Sequence, residues 1–367
     1  MKHVRAMHSL VYKMMTNMPR RLHPVLVLRR SFFGFMTVVL FTACDKVTSP
    51  EEPPFQQNLP SDFPQVPVPS DNPMSNAKVE LGRYLFYDKR LSRDFSLSCA
   101  SCHLQASAFS DQGHAISRGV GGQVTKRNAP TLANVAYLPY FFGEGGVPTL
   151  EQQALAPIIA SNEMDMNTDT LLARLQGVNK YRTLFSQAWG DGNLTIERVT
   201  KSLAAFERTL VSAESAFDHW NRGDKNAISA SAQRGAELFF GEKGDCWHCH
   251  GGFNFTNNAF HNTGLDSARI GDEGRYRITN NPADFGKFKT PTLRNIALTA
   301  PYMHDGRFNT LEEVVRHYNS GGKAHPNADV LMRPLHLTET EMQDLIALLN
   351  ALTDENFISK QSLSDPW

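Results

Sequence analysis

The sequence has no cysteine to spare. Its 367 residues hold five: Cys44, Cys99, Cys102, Cys246 and Cys249. Four of them sit in two C-x-x-C-H pentads, CASCH at 99–103 and CWHCH at 246–250, and the fifth follows an apolar stretch near the start. None is left for a disulfide framework. A bilayer-spanning run is missing too: the apolar stretch SFFGFMTVVLFTA at 31–43 has 13 residues, too few to cross a membrane. Alternating strand patterns are scarce, which argues against an all-β fold. No low-complexity tract argues for disorder. The formal net charge is zero, but residues 1–43 carry seven Lys/Arg and no Asp or Glu, leaving 30 basic against 37 acidic residues in the remainder. An acidic remainder argues against a nucleic-acid partner.

What is there begins with an address. Arg29 and Arg30 precede the apolar stretch, and Cys44 follows it. A charged region followed by a short apolar core reads as an export signal. FTAC at 41–44 resembles a bacterial lipoprotein box, so Cys44 is the expected lipidation site. The expected location is the periplasm or the outer cell surface, with membrane contact only through that anchor. Residues 1–43 are the expected signal. Residues 44–62, polar and proline-rich, are the expected tether.

From Phe63 onward the pattern is helical. AKVELGRYLFYDKRL, LEQQALAPII, TDTLLARLQGV, IERVTKSLAAFERTL, SAQRGAELFFG, TLEEVVRHY and TETEMQDLIALLNALT space apolar residues by three and four. Asn193–Thr195 and the Thr338-x-x-Glu341 box read as helix starts. Long loops rich in Gly, Pro and Asn separate these segments.

The chain also repeats itself. Gly82-Arg83-Tyr84-Leu85-Phe86 is matched by Gly235-Ala236-Glu237-Leu238-Phe239, and Pro130-Thr131-Leu132-Ala133-Asn134 by Pro291-Thr292-Leu293-Arg294-Asn295. Pro139-Tyr140 is matched by Pro301-Tyr302, and Thr149-Leu150-Glu151 by Thr310-Leu311-Glu312. Blocks recurring in one order predict two homologous domains, 63–225 and 226–367. The fold class is therefore all-α, two tandem domains with long irregular loops; one C-x-x-C-H pentad in each makes the expectation a pair of cytochrome c-like domains, each with one covalently bound haem c.

C-x-x-C-H is the attachment signature of c-type haem. On one helical turn both thiols and the imidazole share a side. The thiols can form thioethers to the porphyrin, and the histidine can ligate iron. Zinc needs four ligands, and the two pentads lie in separate domains. A redox dithiol would sit near a βαβ pattern, and none is present. Cys99, Cys102, Cys246 and Cys249 are the expected attachment points, and His103 and His250 the expected iron ligands.

The repeat predicts that the two irons differ on their other side. Tyr318 lies eight residues after Thr310, on the inward face of TLEEVVRHY. Eight residues after Thr149 stands Pro157, which can ligate nothing. Tyr318 is thus the expected cap of the second haem, with His317, Met303 and Met332 as alternatives, and the first haem is expected to be open. Near the open site, Glu163 could act as acid and base on a bound peroxide, and Gln153 could orient it.

These segments together resemble the bacterial di-haem cytochrome c peroxidase and MauG family. The resemblance rests on CASCH, KRNAPTLANVAY, LEQQALAPIIASNEM, CWHCH, FGKFKTPTLRNIALTAPYMHDGRF and TLEEVVRHY, and it covers roughly residues 63–357. It implies a peroxidatic first haem, an electron-transfer second haem, and Glu163 and Gln153 as distal residues. It also implies one calcium ion held by Asn128 and the carbonyls of Thr299 and Pro301. Tyr318 is similar to the MauG cap, and Val120 stands where classical peroxidases carry a displaceable histidine. His114, six residues earlier, could replace it only if the loop were re-registered. The lead-in FPQVPVPSDNPMSNAKVELGRYLFYD is similar to the MbnH branch. Gly143 stands where the family has a tryptophan between the haems, so that relay must be absent or taken over by Phe142, Tyr140 or another aromatic.

Three functions follow as expectations. One is a peroxidase that draws electrons from a small c-type cytochrome or other donor to reduce hydrogen peroxide. The second uses peroxide to oxidise side chains of a partner protein. The third is a non-enzymatic di-haem electron carrier.

Overall fold

The computed structural model describes residues 55–267 and 271–367. The expected signal at 1–43, Cys44 and most of the tether lie outside the described residues. Among those described, no helix is long and apolar enough to cross a membrane.

The first repeat holds α1 (Asn76–Tyr87), α2 (Leu150–Ile159), α3 (Thr168–Gln176), α4 (Asn179–Trp189) and α5 (Ile196–Glu207). After it come α6 (Ala216–Asn221), α7 (Ala230–Phe240), α8 (Trp247–His250), α9 (Tyr276–Thr279), α10 (Leu311–Ser320), α11 (Glu339–Ala351) and α12 (Glu355–Ser359). The described strands are two-residue pieces, β1 (Phe260–His261) and β2 (Phe288–Lys289), paired antiparallel. The fold is thus mostly helical, as the periodicity indicates.

Local chemistry sets the helix starts. Thr195 accepts a hydrogen bond from the Arg198 amide, and Thr338 and Glu341 cap each other reciprocally. Among the described helices of eight residues or more, the one that periodicity did not single out is α4. Its N-cap is Val178, which offers no side-chain acceptor, so the start signal is missing from the sequence.

Both repeats use one packing device. α1 crosses α5, and α7 crosses α11. At the first crossing a Cβ on Gly82 would lie 1.9 Å from the Ser202 carbonyl oxygen; at the second, a Cβ on Gly235 would lie 2.0 Å from that of Asp344. Only glycine lets the backbones approach this closely.

Two apolar cores result. The first gathers Leu81, Leu85 and Phe86 of α1 with Leu203 and Phe206 of α5 and Ile158 of α2. The second gathers Ala236 and Phe239 of α7 with Leu345 and Leu348 of α11 and Val315 of α10. Burying each of these larger side chains contributes about 1.5–3 kcal/mol. The chain then doubles back: Phe357 and Leu363 pack into the first core, although they follow α11 in sequence.

A buried polar knot joins the repeats. Asn134 and Asn295, matched in the repeat, are both left-handed with φ of 59°, a conformation that asparagine tolerates better than most residues. Asn134 Nδ2 donates to the Ser212 carbonyl, and Asn295 Nδ2 to Ser212 Oγ. The Asp354 carboxylate accepts from Ser212 Oγ and from the amides of Ala213 and Glu214.

Candidate active site

Each pentad closes one turn. The His103 amide donates to the Cys99 carbonyl at 3.0 Å, and the His250 amide to that of Cys246 at 2.9 Å. This folds both thiols and the imidazole towards one side. Burial pushes the Cys102 and Cys249 thiols up to about 11 and Cys246 up to about 12, and it raises Cys99 as well. Such thiols stay protonated at neutral pH, which is the wrong chemistry for a redox dithiol. Among the described residues no cluster of three or more His, Cys, Asp or Glu side chains is arranged to cage a metal.

The two imidazoles are oriented alike. His103 Nδ1 lies 2.9 Å from the Phe109 carbonyl oxygen, and His250 Nδ1 3.0 Å from that of Phe255. A carbonyl can only accept, so each Nδ1 carries the proton and each Nε2 keeps its lone pair for a ligand. Burial holds both rings neutral, His250 down to about 4 and His103 lowered in the same direction. Phe109 and Phe255 reach this position through left-handed backbones, φ 58° and 49°. The repeated threonines brace the preceding residue: Thr131 Oγ1 donates to the Ala108 carbonyl, and Thr292 Oγ1 to that of Asn254. This second layer went unnoticed in the sequence. The repeated Pro-Thr-Leu was its signal.

The far sides differ. Tyr318, on α10, packs against the same core as Cys246 and lies near Cys249, and burial raises its phenol. His317 Nε2 sits 2.8 Å from the Thr263 carbonyl oxygen and is turned to that contact. His248 pairs with Asp245 and stacks on Trp247 with ring centroids 3.9 Å apart, which fits a bystander.

Over the first pentad, Glu163 stands just beyond α2. Burial raises its carboxyl, and its charge in turn raises both Cys99 and Cys102. Gln153 lies one turn before Pro157 on the same face of α2. The Val120 amide donates to the Glu163 carbonyl at 2.8 Å and ties that loop to the acid. His114 does not stand in for the missing ligand. Its ring pairs with Asp111 at 2.8 Å, and its side chain is 62% exposed.

A buried acid escaped the sequence reading. The glycine crossings set Ser202 against Asp344 and Phe206 against Leu348, so Glu207 occupies the place of Leu349. Glu207 is 5% exposed, and its Oε2 has no hydrogen-bond partner among the described residues. Burial pushes it up to about 8, so it is mostly neutral at neutral pH, and its ionised form raises Cys99. The native state then keeps a proton that the unfolded chain releases above the usual carboxylate range. The Glu207 contribution to stability therefore falls as pH rises to about 8 and is level beyond. Glu207→Leu is expected to remove that slope. It should match wild type near pH 4 and exceed it by a few kcal/mol above pH 8, read by urea unfolding across that range. Parallel pH curves for the two proteins would show that Glu207 ionises normally.

The segments expected to bind calcium run together. The Asn128 amide donates to the His304 carbonyl at 2.8 Å, and the Gly113 amide to that of Ala300 at 3.0 Å. Asn128 Nδ2 donates to the His114 carbonyl, so Oδ1 is the atom available to a cation. Thr299 and Pro301 flank Ala300 on the same segment. Gly143 stands beside Phe288 and Arg127. A Cβ there would meet Phe288 at 3.6 Å and Arg127 at 3.8 Å. Phe288 stacks on His304, with centroids 4.0 Å apart and planes within 14°.

A family model described as di-haem cytochrome c peroxidase matches residues 76–226. The chain is 41% identical over 293 residues to the methylamine utilization protein MauG of Methylorubrum extorquens, covering 79% of this chain and 82% of that one. It is 41% identical over 324 residues to the cytochrome-c peroxidase IdrP1 of Denitromonas iodatirespirans, covering 79% and 85%. Among solved structures it is similar to a MauG-like protein associated with microbial copper homeostasis. The TM-score is 0.81 at 39% identity, over 85% of this chain and 99% of that one. The diheme peroxidase BthA of Burkholderia thailandensis shares the fold, with TM-score 0.68 at 21% identity over 80% and 91%.

Proposed function

Since the chain belongs to the di-haem cytochrome c peroxidase and MauG family and is an oxidoreductase acting on peroxide, we propose that hydrogen peroxide is reduced beside CASCH, with CWHCH anchoring the electron-relaying partner site. The observation that carries this reading is the asymmetry above the pentads. Tyr318, a half-buried phenol, lies near the cysteines of the second, the raised carboxyl of Glu163 lies near those of the first, and Pro157 holds the α2 position matched to Tyr318. The neutral imidazoles, their carbonyl-fixed tautomers and the paired thiols fit two haem c groups. Cys99, Cys102 and His103 would hold one, and Cys246, Cys249 and His250 the other. When bound, these groups supply iron that exchanges single electrons and, at the first site, coordinates peroxide.

The chain's own residues then do the rest. Glu163 accepts the proton of the bound peroxide oxygen and returns it to the oxygen that leaves as water. A carboxyl raised by burial toward the working pH can do both. Gln153 orients the peroxide. Val120 offers no nitrogen to occupy the position. His103 Nδ1 stays tied to Phe109, which fixes the ring plane. Asn128, Thr299 and Pro301 would hold calcium between the two halves. Export and a lipid on Cys44 complete the reading and place the enzyme in the periplasm or on the outer surface.

Tyr318 and Val120 favour a second reading, oxidation of a partner protein in place of a cytochrome. Bound to the second iron as a phenolate, Tyr318 would lower that site's potential, which suits stored oxidising power better than reversible electron supply. The haem-loaded protein should show one high-spin and one low-spin spectrum. Two low-spin signals would remove the open site. Peroxide should then be supplied with reduced cytochrome c or with exported proteins. Turnover of the cytochrome supports the first reading, and new oxygen mass on a protein supports the second.

A further inference from the structure

Beneath the first site, the aromatic side chains of α1 lead outward. Phe109, whose carbonyl holds His103, lies 6.0 Å from Phe86 by ring centroids, and Phe86 lies 5.4 Å from Tyr87. Three residues before Tyr87, on a neighbouring position of the same helix, is Tyr84. Its ring meets Trp367 edge-on at 5.0 Å, and the Trp367 indole N–H donates to the Tyr84 carbonyl. Tyr181, fully buried on α4, lies 6.1 Å from the same indole. Trp367 itself is 53% exposed.

One contact in this cluster is chemical as well as steric. The Tyr181 hydroxyl donates to Asp88 Oδ2 at 2.5 Å, in a site where Asp88 is also buried and paired with Arg90. A phenol that loses an electron must shed its proton, and a buried one needs an acceptor in place. Asp88 is that acceptor. Asp88 Oδ1 accepts from the Arg90 amide, so the carboxylate is held in place beneath the phenol.

We propose that Trp367, with Tyr84 and Tyr181 beneath it, is a surface port through which one-electron donors of the phenol class reduce the oxidised first site. The inference rests on the peroxide reading above. Peroxide removes two electrons at the first site. The Tyr181 phenol returns one of them, and its proton passes to Asp88. Trp367 then supplies an electron to the phenoxyl, and Asp88 gives the proton back. A donor at the surface restores the indole by giving up one electron. The phenyl rings of Phe86 and Phe109 are too hard to oxidise and only shorten the gap. With no donor present, the indole itself is consumed: Trp367 loses two electrons, gains one oxygen from water and releases two protons, matching the two electrons taken by one peroxide.

The test uses the haem-loaded protein, donor-free, with one equivalent of peroxide, followed by peptide mass spectrometry. Added oxygen is expected at Trp367. Tyr181→Phe should lower that mark at least tenfold, and guaiacol added first should suppress it. Trp367→Phe should slow guaiacol oxidation at least tenfold. Peroxide consumed with the oxygen found elsewhere, or an equal mark on Trp367 in haem-free protein, overturns the port. No peroxide consumption at all would instead count against the site reading on which it rests.

Discussion

Glu163→Gln is expected to slow peroxide consumption about 10²–10⁴-fold, the usual contribution of a positioned general acid–base. Glutamine keeps the size and the packing of Glu163 but can neither take the peroxide proton nor return it. The fold should be untouched, because the backbone of residue 163, which accepts from the Val120 amide and donates to the Ala160 carbonyl, is unchanged. The pH dependence gives an independent check. Burial raises the Glu163 carboxyl above its ordinary value. To act first as a base it must be ionised, so the wild-type rate should fall as pH drops through this raised value. That acid limb should vanish in the variant. Stopped-flow peroxide consumption across pH measures both effects. Equal rates in the two proteins would remove Glu163 from the chemistry.

Asp218→Ala is expected to destabilise the protein by about 3–5 kcal/mol, the cost of leaving a buried charge without its partner. Arg294 is 2% exposed. Its Nη1 and Nη2 donate to the two Asp218 oxygens at 2.8 and 2.9 Å, and its Nε and Nη2 donate to the Phe253 carbonyl. Asp218 also caps α6 by accepting from the amide and hydroxyl of Ser215. These contacts hold its carboxyl below the usual carboxylate range despite burial. The stability they contribute is thus present above the unfolded value and lost as pH falls through the lower native one. Replacing both partners, Asp218→Leu with Arg294→Met, should recover most of the loss, because no orphaned charge remains. Guanidinium unfolding measures this. A loss below about 1 kcal/mol in the single variant would mean that Arg294 finds other partners or water. The functional consequence is local. Phe253 begins the segment that ends at Phe255, the residue holding His250. In the first repeat, Ala133 stands in the position of Arg294, so that site has no such clamp.

Much of the candidate site was legible in the chain before any fold was known. The pentads are contiguous, so their chemistry needs only one helical turn. The difference between Tyr318 and Pro157 can be counted from matched threonines, because equal spacing along homologous helices puts residues in equal places. Helix starts at Thr195 and Thr338 follow from side chains that satisfy their own backbone. α4 shows the limit of such local signals, since its start carries no cap. Glu207 shows another. A glutamate at the end of an amphipathic helix looks solvated in sequence, and only the glycine crossing reveals that it replaces a core leucine.

By itself, then, the sequence determined what is contiguous or periodic: two C-x-x-C-H pentads, a repeated helical plan, and a phenol and a proline at matched positions in the two repeats. The tertiary structure alone decided which groups face each other across long separations. It placed the Phe109 and Phe255 carbonyls on the imidazoles, set Phe288 beside Gly143 and against His304, sent Phe357 and Leu363 back to the first core, and set Trp367 on Tyr84. The physical reason is range. Spacing along one helix fixes directions over a few turns. Contacts between distant segments depend on how two cores settle around backbones brought within touching distance, and no local pattern encodes that.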